Sequence, residues 1–271
     1  MVRNINEVAD AVYLEIASKA QYWDFNSWRK PLVKTMNTIK NACNGDVITI
    51  SSEDTYAEAS MLVQIAVEMA KTGKKVLYFS NMDGEKVALN RMLANEGLVP
   101  FCHITEGALS AAEWKRLAQA ASALIGLNIY FAPISADGKD IPKIVEEIGA
   151  VDFIVIENVH TSFIGKVLTE SCVNEAKKIA NKTGFVIVCG TNGLWGGDKR
   201  LKLANKVLTI RLNDNPESEN PNRCRLEWED RFTDMQHKEE FGAVWFWDFG
   251  AFRDIDCENF GSETEIEEET P

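Results

Sequence analysis

Basic residues are in short supply in this 271-residue chain, where 29 Lys and Arg stand against 41 Asp and Glu for a formal charge of −12. A general basic field for holding nucleic acid is therefore excluded, because phosphate contacts need clustered cations; we expect weak or no DNA binding, with local basic patches as the only exception. Histidine is scarcer still, at three residues, and the six cysteines (Cys43, Cys102, Cys172, Cys189, Cys224, Cys257) form no C-x-x-C pair. No zinc spacing can be drawn from that set, and the cysteines read as reduced thiols, several of them core filler. No apolar run approaches the roughly 20 residues of a membrane span. The opening Met-Val-Arg-Asn-Ile-Asn-Glu is neither a secretory signal nor a transit peptide. We expect a cytosolic protein without a membrane partner.

What is present is enough for one substantial core: 45% of residues are apolar, and the length suits one large domain. Residues 4 to 20 carry Ile5, Val8, Ala9, Val12, Tyr13, Ile16 and Ala17, a three-and-four spacing that predicts a helix with one apolar stripe. The segment Tyr22 to Trp28 then packs four aromatics into seven residues before Arg29-Lys30-Pro31. It reads as a hydrophobic clasp, with base stacking as the sharper alternative.

From Asp46 onward strands and helices alternate. Strands are predicted at 46–51, 75–80, 128–132, 151–156 and 184–189, and helices at 57–72, 84–97, 110–125, 142–148 and 167–182. Continuous apolar strands separated by amphipathic helices imply a mainly parallel sheet buried on both faces. The last third differs. Segments 206–212, 223–229 and 242–249 read as strands without intervening helices, an antiparallel extension in which Trp245 and Trp247 share one face. The end, Glu263 to Pro271, is an acidic run that reads as a disordered, solvated tail.

Between the strand at Asp46 and the helix that follows lies the setting of a phosphate-cradling loop, but not its chemistry. A loop of the form G-x-x-x-x-G-K-[ST] needs glycines so that N–H groups can curl round phosphate, a lysine for charge and a hydroxyl for Mg²⁺. Those four positions read Ser52, Ala57, Glu58 and Ala59. A carboxylate in place of the ammonium turns attraction into repulsion of roughly 4 kcal/mol per unit charge at about 4 Å and an effective dielectric near 20.

The order of elements, together with Gly45-Asp-Val-Ile-Thr-Ile50, Lys75-Val-Leu-Tyr-Phe-Ser-Asn-Met82, Leu89-Asn-Arg-Met-Leu-Ala94, Leu109-Ser-Ala-Ala-Glu-Trp114, Asn128-Ile-Tyr130, Phe153-Ile-Val-Ile-Glu-Asn158 and Ala243-Val-Trp-Phe-Trp-Asp-Phe-Gly-Ala-Phe-Arg253, resembles the C-terminal RecA-like ATPase domain of DnaB-type replicative helicases. The resemblance runs from about residue 25 to 253. It implies a RecA-like α/β fold, a linker-like helix in residues 1–24 and the domain proper in 25–256, which leaves 257–271 as the acidic tail read from its charge.

Carried across one residue at a time, the resemblance implies that the family's phosphate-loop lysine falls on Glu58 and its Mg²⁺-binding hydroxyl on Ala59. The glutamate that activates water falls on Met82, with Asp83 one residue late. The Walker B aspartate falls on Glu157, where a carboxylate survives one methylene longer; it reads as a relic or strand cap, with a metal contact as the alternative. The nearby glutamine becomes His160 and the γ-phosphate sensor Thr191. Of the basic pair that acts on a neighbouring subunit, only Arg231 remains as a possible finger. The segments carrying the family's DNA-contacting loops, 158–168 and 194–202, look shortened; the second holds the one local basic patch with an aromatic, Trp195 with Lys199, Arg200 and Lys202.

The expectation is a catalytically silent DnaB-like protein of DNA replication, in a phage or mobile-element setting, without catalytic residues, metal or cofactor. Its partners would be a replicative helicase, another replication protein or its own copies. The alternative is an ATP-dependent DNA helicase or ATPase with a divergent loop, which would take ATP and Mg²⁺.

Overall fold

The computed structural model describes residues 32–80, 84–133, 137–157, 170–192, 204–213, 222–231 and 238–254. The expected helix at 4–20, the aromatic segment 22–28, Met82, Asp83, His160, the basic turn 194–202 and the acidic tail lie outside them.

The elements follow in the order α1 (Val33–Lys40), β1 (Val47–Ser52), α2 (Thr55–Lys71), β2 (Val76–Phe79), α3 (Gly84–Gly97), α4 (Phe101–Glu106), α5 (Ala111–Leu124), β3 (Ile129–Ala132), α6 (Ile141–Ile148), β4 (Phe153–Ile156), α7 (Glu170–Thr183), β5 (Val186–Asn192), β6 (Lys206–Leu212), β7 (Arg223–Asp230), β8 (Lys238–Phe246) and β9 (Ala251–Asp254), with a 3₁₀ turn at Trp247–Phe249 before β9. They build one nine-stranded sheet in the order β3-β2-β4-β5-β1-β6-β7-β8-β9. The strands from β3 to β6 are all parallel to their neighbours. β6 through β9 pair antiparallel. The α/β class, the mainly parallel sheet flanked by helices and the antiparallel C-terminal extension are thus as the hydrophobic patterning implies.

The reason is visible in the burial. Every residue of β2 and β4 is buried, so these strands need cover on both faces, which only crossover helices provide. Two hydrophobic clusters form, one on each side of the sheet. Ile48, Ile50, Tyr78 and Val188 point to one; Val47, Leu77, Phe79 and Ile187 point to the other. Alternation along each strand supplies both. α2 carries the larger cluster. Its burial is nearly all round, from Ala57 to Ala70, as for a helix enclosed by protein on every side.

One reading needs correction, and three elements were not foreseen. Trp247 does not share a strand face with Trp245: β8 ends at Phe246 and the chain turns into the 3₁₀ segment. Gly250, at φ 56°, closes that turn by donating its N–H to the Trp247 carbonyl, and leads into β9, which the patterning did not reveal. Trp245 stacks on Phe252 of β9 at 5.7 Å, whereas Trp247 is 59% exposed. α1 and α4 were likewise unforeseen; both are short, and α4 buries no residue fully. Cys172, Cys189 and Cys224 are buried, and burial pushes the Cys172 and Cys224 thiols up to about 12, which leaves them inert as nucleophiles.

Candidate functional site

The carboxyl ends of parallel strands are where α/β sheets of this kind place their ligands. Here the ends of β1, β4 and β5 adjoin one another, and the chain runs from β1 into α2 across Glu53 and Asp54 alone. The window from Ser52 to Ala57, which a phosphate cradle would need as an open loop, is instead the last residue of a strand, a two-residue turn and the first residues of a helix.

Asp54 explains why α2 starts so early. Its backbone is extended, and its Oδ1 accepts from the N–H groups of Tyr56 and Ala57 at 2.7 and 3.0 Å. Its carbonyl accepts from the Glu58 N–H at 3.1 Å. Ser52 Oγ in turn accepts from the Asp54 N–H at 3.2 Å. Free N–H groups at a helix start are the usual seat for an anion. In this chain an internal carboxylate already occupies that seat.

Ser52, Ala57, Glu58 and Ala59 are all buried, with Glu58 only 1% exposed. The Glu58 side chain points at the sheet rather than toward solvent. A Cβ placed on Gly190 of β5 would collide with Glu58 Oε1 and lie 2.9 Å from its Cδ and 2.8 Å from Leu62 Cδ1. The glycine at 190 is therefore what lets a glutamate at 58 fit against the strand.

Glu157 follows β4 directly and donates its N–H to the Phe79 carbonyl at 3.1 Å. Its side chain is 2% exposed. Tyr78 of β2 donates its hydroxyl to Glu157 Oε1 at 2.5 Å, and Arg91 Nη1 of α3 lies 3.6 Å from the same oxygen. Burial, then the Glu157 charge, then the hydrogen bond to it hold the Tyr78 phenol well above its ordinary value, with Arg91 opposing and Glu58 adding to the rise. The phenol stays protonated and remains a donor. The Arg91 guanidinium in turn lies 5.9 Å from the ring centres of both Tyr56 and Phe101, within the reach of cation–π attraction.

The fold thus gathers Ser52, Ala57, Glu58, Ala59 and Glu157 at one end of the sheet, and adds Asp54, Tyr78 and Arg91, which the sequence did not single out. Asp54 had a signal, a capping residue directly before an apolar helix. Tyr78 and Arg91 had none, since their roles depend on a partner some 80 and 66 positions away in the chain. Arg231 is not brought to this cluster. Its N–H donates to the Asn205 carbonyl just before β6, at the opposite end of the strands, and its Nε lies 3.6 Å from Glu229 Oε1. Thr191 lies at the end of β5, its backbone level with Ser51 of β1. Among the described residues, no three His, Cys, Asp or Glu side chains are grouped to hold a metal ion. No helix among them is long and apolar enough to cross a membrane.

Residues 34–162 match the family described as the DnaB-like helicase C terminal domain. Among solved structures, one described as an ATPase domain superposes with a TM-score of 0.64 at 14% identity, covering 94% of this chain and all of that one. A DnaB-like replicative helicase, solved in a study of its interactions with primase, gives 0.61 at 13% identity, covering 93% of this chain and 74% of the other. No curated protein matches the sequence. The likeness to the solved structures speaks for the RecA-like fold. The stretch 34–162, somewhat less than half of the chain, is thus similar to the DnaB-like helicase C terminal domain family.

Proposed function

We propose that this protein is a catalytically silent member of its family, one that serves DNA replication through protein contacts rather than by cleaving ATP. The observation that carries the reading is the closed β1–α2 turn. Asp54 takes the N–H groups that would cradle phosphate, and the Glu58 carboxylate lies buried behind them. ATP and Mg²⁺ do not fit such a site. Phosphoryl transfer rests on positioning and on positive charge around the phosphates, and this end of the sheet holds three carboxylates, Asp54, Glu58 and Glu157, against Arg91 and no lysine. Glu157, the surviving Walker-B-like carboxylate, is engaged by Tyr78 and Arg91, so a metal would have to displace both. Arg231 sits beside Glu229 and does not bear on the turn.

A fold that has lost its chemistry keeps its surfaces. The partners that fit are a replicative helicase, another replication protein such as the primase that binds the solved DnaB-like relative, or further copies of this chain. The first test is binding of a labelled ATP analogue with Mg²⁺ to the wild type and to the double variant Glu58→Lys, Ala59→Thr. No saturable binding by the wild type is expected. Tight wild-type binding with turnover would sink the reading and leave a working ATPase with a divergent loop. The second test is recovery of the tagged protein from its own cells: enrichment of replication proteins supports the interaction role, and their absence removes it.

A further inference from the structure

α5 meets the rest of the fold along a narrow line. Ala120 is the one residue of this helix that is buried, and a Cβ built on Gly97 of α3 would lie 3.3 Å from Ala120 Cβ and 3.4 Å from the Arg116 carbonyl oxygen, which fixes the side turned to α3. At about 3.6 residues per turn, Trp114, Ala118, Ala121 and Ile125 lie about 100–160° round the helix from Ala120, on one stripe. Ile125 caps the helix with helical backbone angles, φ −58° and ψ −29°, and so continues that stripe. Trp114 is 58% and Ile125 85% exposed, Ala118 is exposed and Ala121 half-buried. An amphipathic helix turns its apolar face to a partner and its polar face to water. Here Lys115, Gln119 and Ser122 already take the water side, and the described residues leave the apolar stripe uncovered.

We propose that this stripe is a dimerisation surface whose occupant is α5 of a second copy of this chain, packed antiparallel about a twofold axis. The spacing carries the assignment. Positions 114, 118, 121 and 125 follow steps of four, three and four, a helix-seam rhythm that reads the same in both directions. A twofold axis midway between Ala118 and Ala121 therefore sets Trp114 of each copy against Ile125 of the other, and Ala118 against Ala121, an isologous contact. The alanines at the centre let the axes approach toward the near end of the roughly 8–10 Å range of helix pairs, and the large side chains close the two ends. No charge is buried in the seam. Lys115, beside it, falls level with Leu124 of the other helix rather than with its own counterpart. The stripe and its flanks would bury roughly 1,000 Å² over both copies, the low end for a specific association, with Trp114 as the anchor. That area makes a reversible dimer, with a dissociation constant on the order of micromolar. The charge of −12 on each chain opposes the approach of two copies, so the dimer should tighten as salt screens that repulsion. The contact rests on the role in protein contacts proposed above, but it uses nothing of the β1–α2 turn: ATP turnover by a dimer would end the catalytic silence and leave the dimer standing.

The test is sedimentation equilibrium of the full-length protein across the micromolar range, at low and at high salt. A monomer–dimer equilibrium that tightens with salt is expected. Trp114→Lys and Ile125→Glu each set two charges against apolar side chains in the dimer, and each should weaken association ten-fold or more. Mixed in equal amounts, the two variants should associate at least ten-fold more tightly than either alone, because the mixed pair keeps one Trp114–Ile125 contact and sets the new ammonium against the new carboxylate at the other. A parallel pair would show no such rescue, since like positions would face each other. Both side chains are exposed, and unaltered melting curves verify that the variants fold. A monomer at every concentration, a dimer or larger ring that neither variant weakens, or no rescue on mixing would each overturn the assignment. A monomer that melts lower with Trp114→Lys would give the face to another segment of this same chain, and the dimer would again be overturned.

Discussion

Gly190 shows how much a single residue can decide. It sits on a strand buried from Val186 to Gly190, where glycine brings no packing and costs backbone entropy, and its presence follows from the Glu58 side chain lying over it. Gly190→Ala should therefore destabilise by about 1–3 kcal/mol, the usual cost of overpacking a close-fitted interior. Paired with Glu58→Ala, the same change should cost much less. Urea unfolding of the two single variants and the double decides the point: additive losses would mean that the two residues are not in contact in the way described.

Glu113 makes a second prediction at this scale, in pH. The Ser110 backbone N–H, then the Ser110 hydroxyl, then His103 hold its carboxyl down to about 2 from an ordinary 4.5. A depressed carboxyl favours the folded state above its unfolded value, and that contribution fades as pH falls from about 4.5 toward 2. The Glu113 side-chain carboxyl-carbon resonance should titrate with a midpoint of about 2, and Ser110→Ala should raise it. A midpoint near 4.5 in the wild type would contradict the capping box that Ser110 and Glu113 form at the start of α5.

Among the elements, β9 depends most on a distant partner. The Gln64 side chain, fixed on α2, receives the Phe252 N–H at Oε1 and donates Nε2–H to the Phe252 carbonyl, both at 2.9 Å. It answers the outer edge of β9 as a further strand would. Asn95 of α3 adds a bond to the Gly250 carbonyl at 2.7 Å. Gln64→Leu keeps the bulk and strands a buried N–H and C=O, so a loss of roughly 2–4 kcal/mol is expected from two unanswered groups. Hydrogen exchange at Phe252 should quicken well beyond the rest of the sheet. A variant as stable as wild type would mean that the Gln64 bonds contribute nothing to holding β9.

The same element marks where legibility ends. β2, β4 and β5 could be read as strands because each is a continuous apolar run, and α2 because its apolar residues persist between a capping aspartate and Gly73. β9 is four residues long, Ala-Phe-Arg-Asp, too short for a period to show. What makes it a strand is pairing with β8 and the amide of Gln64, 188 positions earlier. α4 was missed for a related reason: six residues are less than two helical turns.

At the level of the whole molecule, the single nine-stranded sheet lets one buried helix reach from the candidate site to the opposite side of the fold. The β1–α2 turn lies at the carboxyl ends of the central strands, whereas the far ends of α2 and α3 meet where Lys71 pairs with Glu68 and Glu96. One helix joins the two.

Patterning and composition were enough for the α/β architecture, the long buried helix, the acidic balance and the absence of a lysine where phosphate would need one. All of these are local or additive, and periodicity and charge can be summed along a chain without knowing its path. The Asp54 cap had a local cue, but that it meets a shut turn with Glu58 against Gly190, that Tyr78 and Arg91 attend Glu157, and that Gln64 answers the edge of β9 were decided by the path itself. Hydrogen bonds, ion pairs and steric fits act over a few ångströms, and only folding brings residues separated by tens to hundreds of positions within that range.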